Sequence, residues 1–295
     1  MGTDVDGGLG PALEIFDTAR PRLFGIAYRM LGSVAEAEDI VQEAWLRWQQ
    51  TDRDVVRNPQ GFLTTVTTRL AINTADSARV RRERYVGPWL PEPVDTSADP
   101  TLGAERAEAL EAAVLMLLET LPARERAAYV LREAFDYPYG QLAELLETSE
   151  ANARQLVSRA RRHVGTNDRE PVTAAEHRRL LDAFVQAAQE GDLEALERLL
   201  AEDVVSLSDG AGVVRRAARI PVVGRSRVAK FLVAFAPSFW PGTEVAVLQT
   251  NGRPSVLIRQ GDQPVALLTL RISSAGIHRI MWVMVPDKLG VAARG

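Results

Sequence analysis

The sequence contains no cysteine and only three histidines in 295 residues. The lack of cysteine excludes a disulfide framework, a cysteine-ligated zinc and a thiol nucleophile. His163, His177 and His278 lie far apart in sequence, so we expect no metal and no cofactor. The longest apolar runs, such as residues 113–118, fall far below the ~18 residues of a membrane span. The acidic N-terminus lacks the pattern of a secretory signal, so the cytoplasm is the predicted location.

Lysine is absent from residues 1–165, where 19 arginines face 25 acidic residues. Two arginine clusters interrupt this acidic half, one at residues 79–84 and one at residues 154–162. Arginine suits bidentate contacts to phosphate and guanine. Phosphate contacts dominate DNA affinity, so a chain of net charge −4 should bind free DNA weakly. If the protein binds DNA, we expect another component to supply much of the affinity.

Helix signals dominate the first part of the chain. Apolar residues recur at helical spacing over residues 23–31, and Ser33 with Glu36 forms a capping box that opens a second helix. Asn58 followed by Pro59 opens a third helix, which turns polar and basic beyond residue 71. The polar face of the second helix carries Asp39, Gln42, Glu43 and Arg47.

Residues 86–100 contain four prolines, which favour an extended linker over a helix. Trp89 and Leu90 are unusual in a solvated linker because their exposure to water is unfavourable. We therefore expect this linker to be docked on a folded surface.

A helix-turn-helix pattern follows at residues 139–164. The first helix is predicted over about 139–146, the turn at Glu147 and Thr148, and the second helix after an N-cap at Ser149. Glu147 stands where such turns usually place glycine, which costs ~1 kcal/mol. The outer face of the second helix carries polar and basic residues: Asn152, Arg154, Gln155, Ser158, Arg159 and Arg162.

From residue 174 the pattern changes to that of an α+β domain. Helices are predicted over roughly 174–190, 192–201 and 225–235. Short β-rich segments are predicted at 204–207, 213–214, 244–250, 255–259, 265–272 and 278–285. Turn residues at 251–252, 261–262 and 274–276 indicate hairpins, and therefore an antiparallel sheet.

These motifs resemble those of a bacterial extracytoplasmic-function (ECF) RNA polymerase sigma factor. The segment RPRLFGIAYRMLGSVAEAEDIVQEAWLRW looks like sigma region 2, and the residues after Leu121 look like region 4. The remainder is similar to the SigJ-like branch, which carries a fused SnoaL-like domain of the NTF2 fold. Three motifs support that branch: Trp89-Leu90-Pro91-Glu92-Pro93, Asp209-Gly210-Ala211-Gly212 and Asp287-Lys288-Leu289. The chain departs from the branch pattern at Ala211, where glycine is usual, and at Val285, where asparagine is common.

The resemblance implies a domain order and partners. It places region 2 at residues 10–86, a linker at 87–103, region 4 at 104–165, a second linker at 166–173 and a SnoaL-like domain at 174–295. It implies two helical sigma domains followed by an α+β cone, with core RNA polymerase and promoter DNA as partners and no membrane. The resemblance leaves open whether the C-terminal domain binds a small-molecule ligand.

The resemblance also implies the roles of individual residues. Asp39, Gln42, Glu43 and Arg47 are expected to bind the polymerase core. The expected −10 contacts are Asn73, Arg79, Arg81, Arg82 and Arg84. The expected −35 contacts are the outer-face residues Asn152, Arg154, Gln155, Ser158, Arg159 and Arg162. The three branch motifs are expected to join the linker to the C-terminal domain and thereby regulate the sigma factor; their members are Trp89, Leu90, Pro91, Glu92, Pro93, Asp209, Gly210, Gly212, Asp287, Lys288 and Leu289.

Two alternatives remain at this point. A one-component helix-turn-helix regulator with a ligand-sensing domain would leave residues 20–85 unexplained. A SnoaL-like isomerase or cyclase fused to a DNA-binding module would need a general base in a pocket. The only candidates are Asp209, His177, His278 and Asp262, and no pair among them has a spacing that demands catalysis. Because fold alone does not establish activity, no catalytic residue is expected.

Overall fold

The computed structural model describes residues 9–96, 111–165 and 172–290, which fall into two compact units. Of the described residues, the first unit holds 9–81 and 114–165. The second unit holds residues 82–96, 111–113 and the chain from residue 172 onward. Parts of the predicted linkers and of region 4, at residues 97–110 and 166–171, lie outside the described residues.

Three long helices open the first unit: α1 (Leu9–Leu31), α2 (Val34–Gln50) and α3 (Pro59–Arg82), with a short 3-10 turn at Arg53–Val55. The predicted starts of α2 and α3 are confirmed by their caps. The Ser33 hydroxyl accepts from the Glu36 amide at 3.3 Å, and Asn58 Oδ1 accepts from the Gly61 amide at 3.0 Å. Helix α1 begins well before the predicted segment, because Ala12, Phe16 and Ala19 extend its buried face toward the N-terminus.

Four shorter helices follow: α4 (Ala112–Glu119), α5 (Ala123–Glu133), α6 (Tyr139–Leu145) and α7 (Glu150–Val164). Apart from the first two residues of α4, they belong to the first unit. Helices α6 and α7 form the predicted helix-turn-helix. The Ser149 side chain caps α7 by accepting from the Asn152 amide at 3.2 Å. Glu147 has φ +47°, so the expected left-handed turn without glycine is present. Small and apolar residues of α7, including Ala153 and Val157, form its buried face.

Arginines of α1 and α5 connect these two sets of helices. Arg126 is 2% exposed, and its guanidinium donates to the main-chain oxygens of Met30 and Glu119. Arg29 lies 5.0 Å from the centre of the Phe135 ring, and burial lowers its pKa to about 10. Because Met30 O belongs to the last turn of α1, the Arg126 cation also stabilises the negative end of that helix.

The second unit is an α+β domain, as predicted. Its helices are α8 (Ala174–Glu190), α9 (Leu193–Leu199), α10 (Arg225–Phe239) and the short α11 (Pro286–Leu289). Its strands are β1 (Leu200–Asp209), β2 (Val222–Val223), β3 (Thr243–Thr250), β4 (Arg253–Gln260), β5 (Gln263–Ser273) and β6 (Gly276–Val283). They form one sheet in the order β2-β1-β6-β5-β4-β3.

Three details of the predicted C-terminal domain were wrong. Residues 213–214 form no strand, because the amides of Val213 and Val214 both donate to Gly210 O in a series of turns; the second strand lies at Val222–Val223 instead. Helix α9 ends at Leu199 rather than at residue 201, and the chain continues directly into β1. Strands β1 and β6 are parallel, since β1 is followed by a long connection rather than a hairpin.

The sheet separates a helix-covered face from a second face. Side chains such as Leu268, Ile280 and Trp282 pack with α8 and α10 in one buried cluster. The alternate positions, including Asp209 and Leu257, point to the opposite face because successive side chains of a strand alternate. Asp209 ends β1 on that second face and is completely buried.

Candidate functional site

The predicted polymerase-binding residues lie on the outer side of α2. Asp39, Gln42 and Arg47 are exposed, whereas Ile40 and Val41 on the other side are buried. Arg47 Nε donates to Glu43 Oε1 at 2.8 Å one turn away, and both side chains remain nearly half exposed. Such a surface ion pair contributes little stability, so these side chains are available to a partner.

Four of the predicted −10 residues lie along the second half of α3, and Arg84 lies two residues beyond its end. Several of the five have partners within the protein. Asn73 and Arg84 are exposed. Arg81 forms an ion pair with Glu36, and the Arg82 guanidinium stacks 3.7 Å from the centre of the Trp89 ring. The side chain of Arg79 lies outside the described part of the structure. Arg82 is therefore tied to the linker rather than directed only at solvent.

The predicted −35 residues share the outer face of α7. The exposed members are Arg154, Gln155, Ser158, Arg159 and Arg162. The side-chain amide of Asn152 donates to the Thr148 hydroxyl at 2.7 Å. Acidic side chains already hold two of these arginines. Arg154 pairs with Glu150 and lies 4.4 Å over the Tyr139 ring, and Arg159 pairs with Glu125 at 2.8 Å.

The linker docks on the second face of the sheet through Asp209. Its Oδ1 accepts from the Tyr85 hydroxyl at 2.6 Å, and its Oδ2 accepts from the Leu90 amide at 2.9 Å. Leu90 is 1% exposed, as expected for a docked linker. Burial raises the pKa of the Tyr85 hydroxyl, and its hydrogen bond to Asp209 acts in the same direction. The phenol therefore stays a donor to this carboxylate.

Lys288, one of two lysines in the chain, completes this arrangement. Its Nζ lies 2.7 Å from Asp209 Oδ2 and donates to the main-chain oxygen of Leu90 at 2.6 Å. The rings of Trp89 and Tyr85 lie 4.5 and 5.5 Å from the same ammonium group. Burial lowers the pKa of Lys288, while the charge of Asp209 opposes that shift. We call these five residues, Tyr85, Trp89, Leu90, Asp209 and Lys288, the linker lock.

A second contact holds the linker further along. Val94 and Asn251 exchange two hydrogen bonds, from the Val94 amide to Asn251 Oδ1 at 3.1 Å and from the Asn251 amide to Val94 O at 2.9 Å. The Thr96 amide donates to Gln249 O at 3.0 Å. This main-chain hydrogen bond attaches the linker to strand β3 of the β3–β4 hairpin. The predicted turn at Asn251 and Gly252 is confirmed, with positive φ at both residues.

The structure also explains the two departures from the branch pattern. Ala211 has φ +51°, a conformation in which glycine carries no steric cost. Val285 is the N-cap of α11 and makes no side-chain capping bond, which asparagine would supply. Gly210 is required, because a Cβ there would overlap Ala217.

Leu90, Asp209 and Lys288, which the sequence analysis grouped in one regulatory set, contact one another, and their regulatory role stays a prediction. Tyr85 and Asn251 were not in that set. The available signal for Tyr85 was an aromatic side chain at the end of an otherwise polar, basic segment. Asn251 was interpreted only as a turn residue. The hydrogen bond of its side chain could not be predicted from local sequence, because the partner, Val94, is 157 residues away.

The rest of the candidate set is placed as follows. Pro91 and Pro93 are buried in the docked linker, and Asp287 is exposed on α11. Among the residues that the structure describes, no cluster of His, Cys, Asp and Glu could hold a metal ion. No helix in the same residues is long and apolar enough to cross a membrane.

Comparison with known proteins identifies the family. Residues 15–84 match the model of sigma-70 region 2, and residues 111–164 match that of sigma-70 region 4. The chain is 40% identical over 236 residues to the ECF RNA polymerase sigma factor SigJ of Mycobacterium tuberculosis, covering 77% of this chain and 74% of SigJ. The chain belongs to the ECF RNA polymerase sigma factors. A probable ECF sigma factor of the same organism, SigI, is 31% identical over 95% of each chain.

The crystal structure of M. tuberculosis SigJ is similar to this ECF sigma factor over nearly the whole chain. It superimposes with a TM-score of 0.76 at 32% identity and covers 95% of this chain and 98% of that one. The likeness therefore includes the C-terminal α+β domain as well as the two sigma regions. Sigma factors bind core RNA polymerase and promoter DNA and are not enzymes. Both alternative functions are thereby excluded, since each leaves region 2 without a role.

Proposed function

We propose that this ECF sigma factor acts in the cytoplasm and that its own C-terminal domain restrains promoter-specific initiation by holding the linker between regions 2 and 4. The observation that carries the proposal is the pair of contacts from Lys288 Nζ, one to Asp209 Oδ2 and one to Leu90 O. A single buried cation thus joins the C-terminal tail, the end of β1 and the linker main chain.

The length of the linker makes such a restraint effective. Residues 87–103 span at most about 60 Å when fully extended, at 3.3–3.6 Å per residue. With residues up to 96 docked, residues 97–103 reach only about 25 Å. A sigma factor spreads two DNA-reading regions across polymerase. Release of residues 87–96 frees ten more residues, about 35 Å of extended chain, from a fixed path and makes them available for that separation.

The proposal assigns the remaining surfaces as the family resemblance implies. Asp39, Gln42, Glu43 and Arg47 bind core polymerase, and the exposed positions of α3 and α7 serve the −10 and −35 elements. The supporting observation is that these side chains lie off the buried faces of their helices. Asp39→Ala with Glu43→Ala should weaken core binding without changing the thermal unfolding of the protein. Holoenzyme assembly at the parental affinity would contradict this assignment.

Run-off transcription with core polymerase tests the restraint directly. The full-length Lys288→Met variant should give several-fold more promoter-dependent transcript at limiting sigma factor, and small-angle scattering should show a more extended chain. Arg178→Met is the matched control, because it removes one positive charge from an exposed position of the same domain that does not contact the linker. Parental transcription and compactness in Lys288→Met, or reduced transcription, would overturn the proposal.

A further inference from the structure

The C-terminal domain carries a long stretch of uncompensated positive charge. Residues 210–243 contain six basic residues and no acidic residue. Arg215, Arg216, Arg219, Arg227 and Lys230 are exposed, and in the part of the chain that the structure describes none of them forms an ion pair. This charge stands out in a protein whose net charge is −4.

Other exposed arginines of the same domain behave differently. Arg178 pairs with Asp182 at 3.1 Å, Arg179 with Glu176 at 2.6 Å, and Arg198 with Glu194 at 3.6 Å. These helical arginines are neutralised locally by a residue one turn away. Of the six basic residues at 215–230, Arg225 pairs with Glu202 at 3.2 Å. Among the described residues the other five form no ion pair, so their field is available to an external anion.

The first three of these arginines project from a folded loop, residues 211–221, which we call the basic loop. The amides of Val213 and Val214 donate to Gly210 O at 2.9 and 3.0 Å, and the Ala217 amide donates to Val214 O at 3.1 Å. Val214 and Ala217 also pack against the core of the domain. Arg215, Arg216 and Arg219 are therefore presented on an ordered turn, which lowers the entropic cost of binding.

The basic loop adjoins the end of the predicted −10 segment within the same unit. A Cβ at Gly87 would lie 3.7 Å from Arg219 Cα, and one at Gly212 would contact the Val86 side chain. Arg84 is exposed and only three residues before Gly87, which is about 11 Å of extended chain. The arginines of the basic loop thus lie in the same unit as Arg84 and close to the chain that follows it.

We propose that the basic loop of the C-terminal domain contacts DNA phosphates beside the −10 element when the holoenzyme binds a promoter. The inference rests on the proposed role of α3 in −10 recognition. Arginine binds phosphate oxygens bidentately, and phosphate contacts add affinity without reading sequence. Closeness to the chain after Arg84 favours DNA over an acidic protein surface as the partner. This contact belongs to the docked form of the linker, in which Val86 and Gly87 lie against the loop. In that form the C-terminal domain adds affinity for promoter DNA while it restrains initiation.

The salt dependence of promoter binding by the full-length holoenzyme tests this inference. Each phosphate contact contributes about 0.9 to the slope of log affinity against log salt concentration. The triple variant Arg215→Ala, Arg216→Ala, Arg219→Ala should lower that slope by up to about 3. The loss should be equal on parental and −10-mutated promoters. The triple lysine variant at the same positions should retain most of the slope, because lysine keeps the charge.

The matched control is Arg178→Ala, Arg179→Ala, Arg198→Ala, which removes the same charge from ion-paired positions and should leave the slope unchanged. An unchanged slope in the basic-loop variant would overturn the inference. An unchanged slope with weaker core binding would also overturn it and identify an acidic protein surface as the partner. Failure of the linker restraint would appear separately, as parental transcription in Lys288→Met with the basic-loop effect intact.

Discussion

Lys288→Met should open the linker lock and leave the rest of the C-terminal domain folded. The substitution removes the ion pair with Asp209 at 2.7 Å, the hydrogen bond to Leu90 O at 2.6 Å and the contact with the Trp89 ring at 4.5 Å. Asp209, at 0% exposure, is then left buried without the cation that pairs with it.

The expected loss of docking free energy depends on the interactions that Asp209 keeps in the variant. Removing one partner of a buried ion pair costs about 3–5 kcal/mol. Asp209 still accepts from Tyr85 and Leu90, and the desolvation cost that lowers the pKa of Lys288 disappears with the side chain. We therefore expect a loss near the lower limit, about 3 kcal/mol, which is roughly a hundredfold in the docking equilibrium.

Hydrogen exchange at the Leu90 amide measures this opening, because that amide donates to Asp209 only when the linker is docked. Its exchange should accelerate about a hundredfold in Lys288→Met, while amides of β5 keep their protection. The double variant with Asp209→Asn should regain at least about 1 kcal/mol, since it removes the unpaired charge. Parental exchange in the single variant, or no recovery in the double variant, would refute the reasoning.

Three further predictions concern stability. Arg126→Ala should destabilise the first unit by about 3 kcal/mol in denaturant unfolding, with exposed Arg20→Ala as the near-neutral control. Burial lowers the pKa of His177 in the folded protein. The free energy of unfolding should therefore be highest above the unfolded pKa of about 6.5 and should fall as the pH drops below it. His177→Gln should remove this pH dependence, and a variant that keeps it would contradict the assignment. Ala211→Gly and Val285→Asn should each raise the free energy of unfolding by up to about 1 kcal/mol and so raise the thermal midpoint. A lowered midpoint would count against the backbone argument.

Local signals in the sequence predicted the helical part of the fold well. Ser33, Asn58 and Ser149 cap helices where their hydrogen-bonding chemistry favours it, and Glu147 has the expected positive φ. These features depend on residues three or four apart, so the sequence contains them directly. The docked linker was also predictable, because exposure of Leu90 to water is unfavourable.

Long-range pairing could not be predicted in the same way. The parallel pairing of β1 with β6 leaves the same apolar alternation as an antiparallel one, so the pattern does not distinguish them. The bonds from Tyr85 to Asp209 and from Val94 to Asn251 join residues 124 and 157 positions apart. Nothing local to Tyr85 or Asn251 specifies such a partner. The family motifs supplied Asp209 and Lys288 but neither of these two residues.

The two departures from the branch pattern affect the backbone that supports the lock rather than the contacts themselves. Ala211 follows Asp209 by two residues, and Val285 precedes Lys288 by three. At each position the chain lacks a feature that the branch pattern supplies, a strain-free turn in one case and a helix cap in the other. Each absence costs ~1 kcal/mol. Asp209 and Lys288 keep their ion pair despite this cost. A lock of unchanged chemistry on a less stable backbone should therefore open more often than one with glycine and asparagine, which shifts the balance toward the released linker.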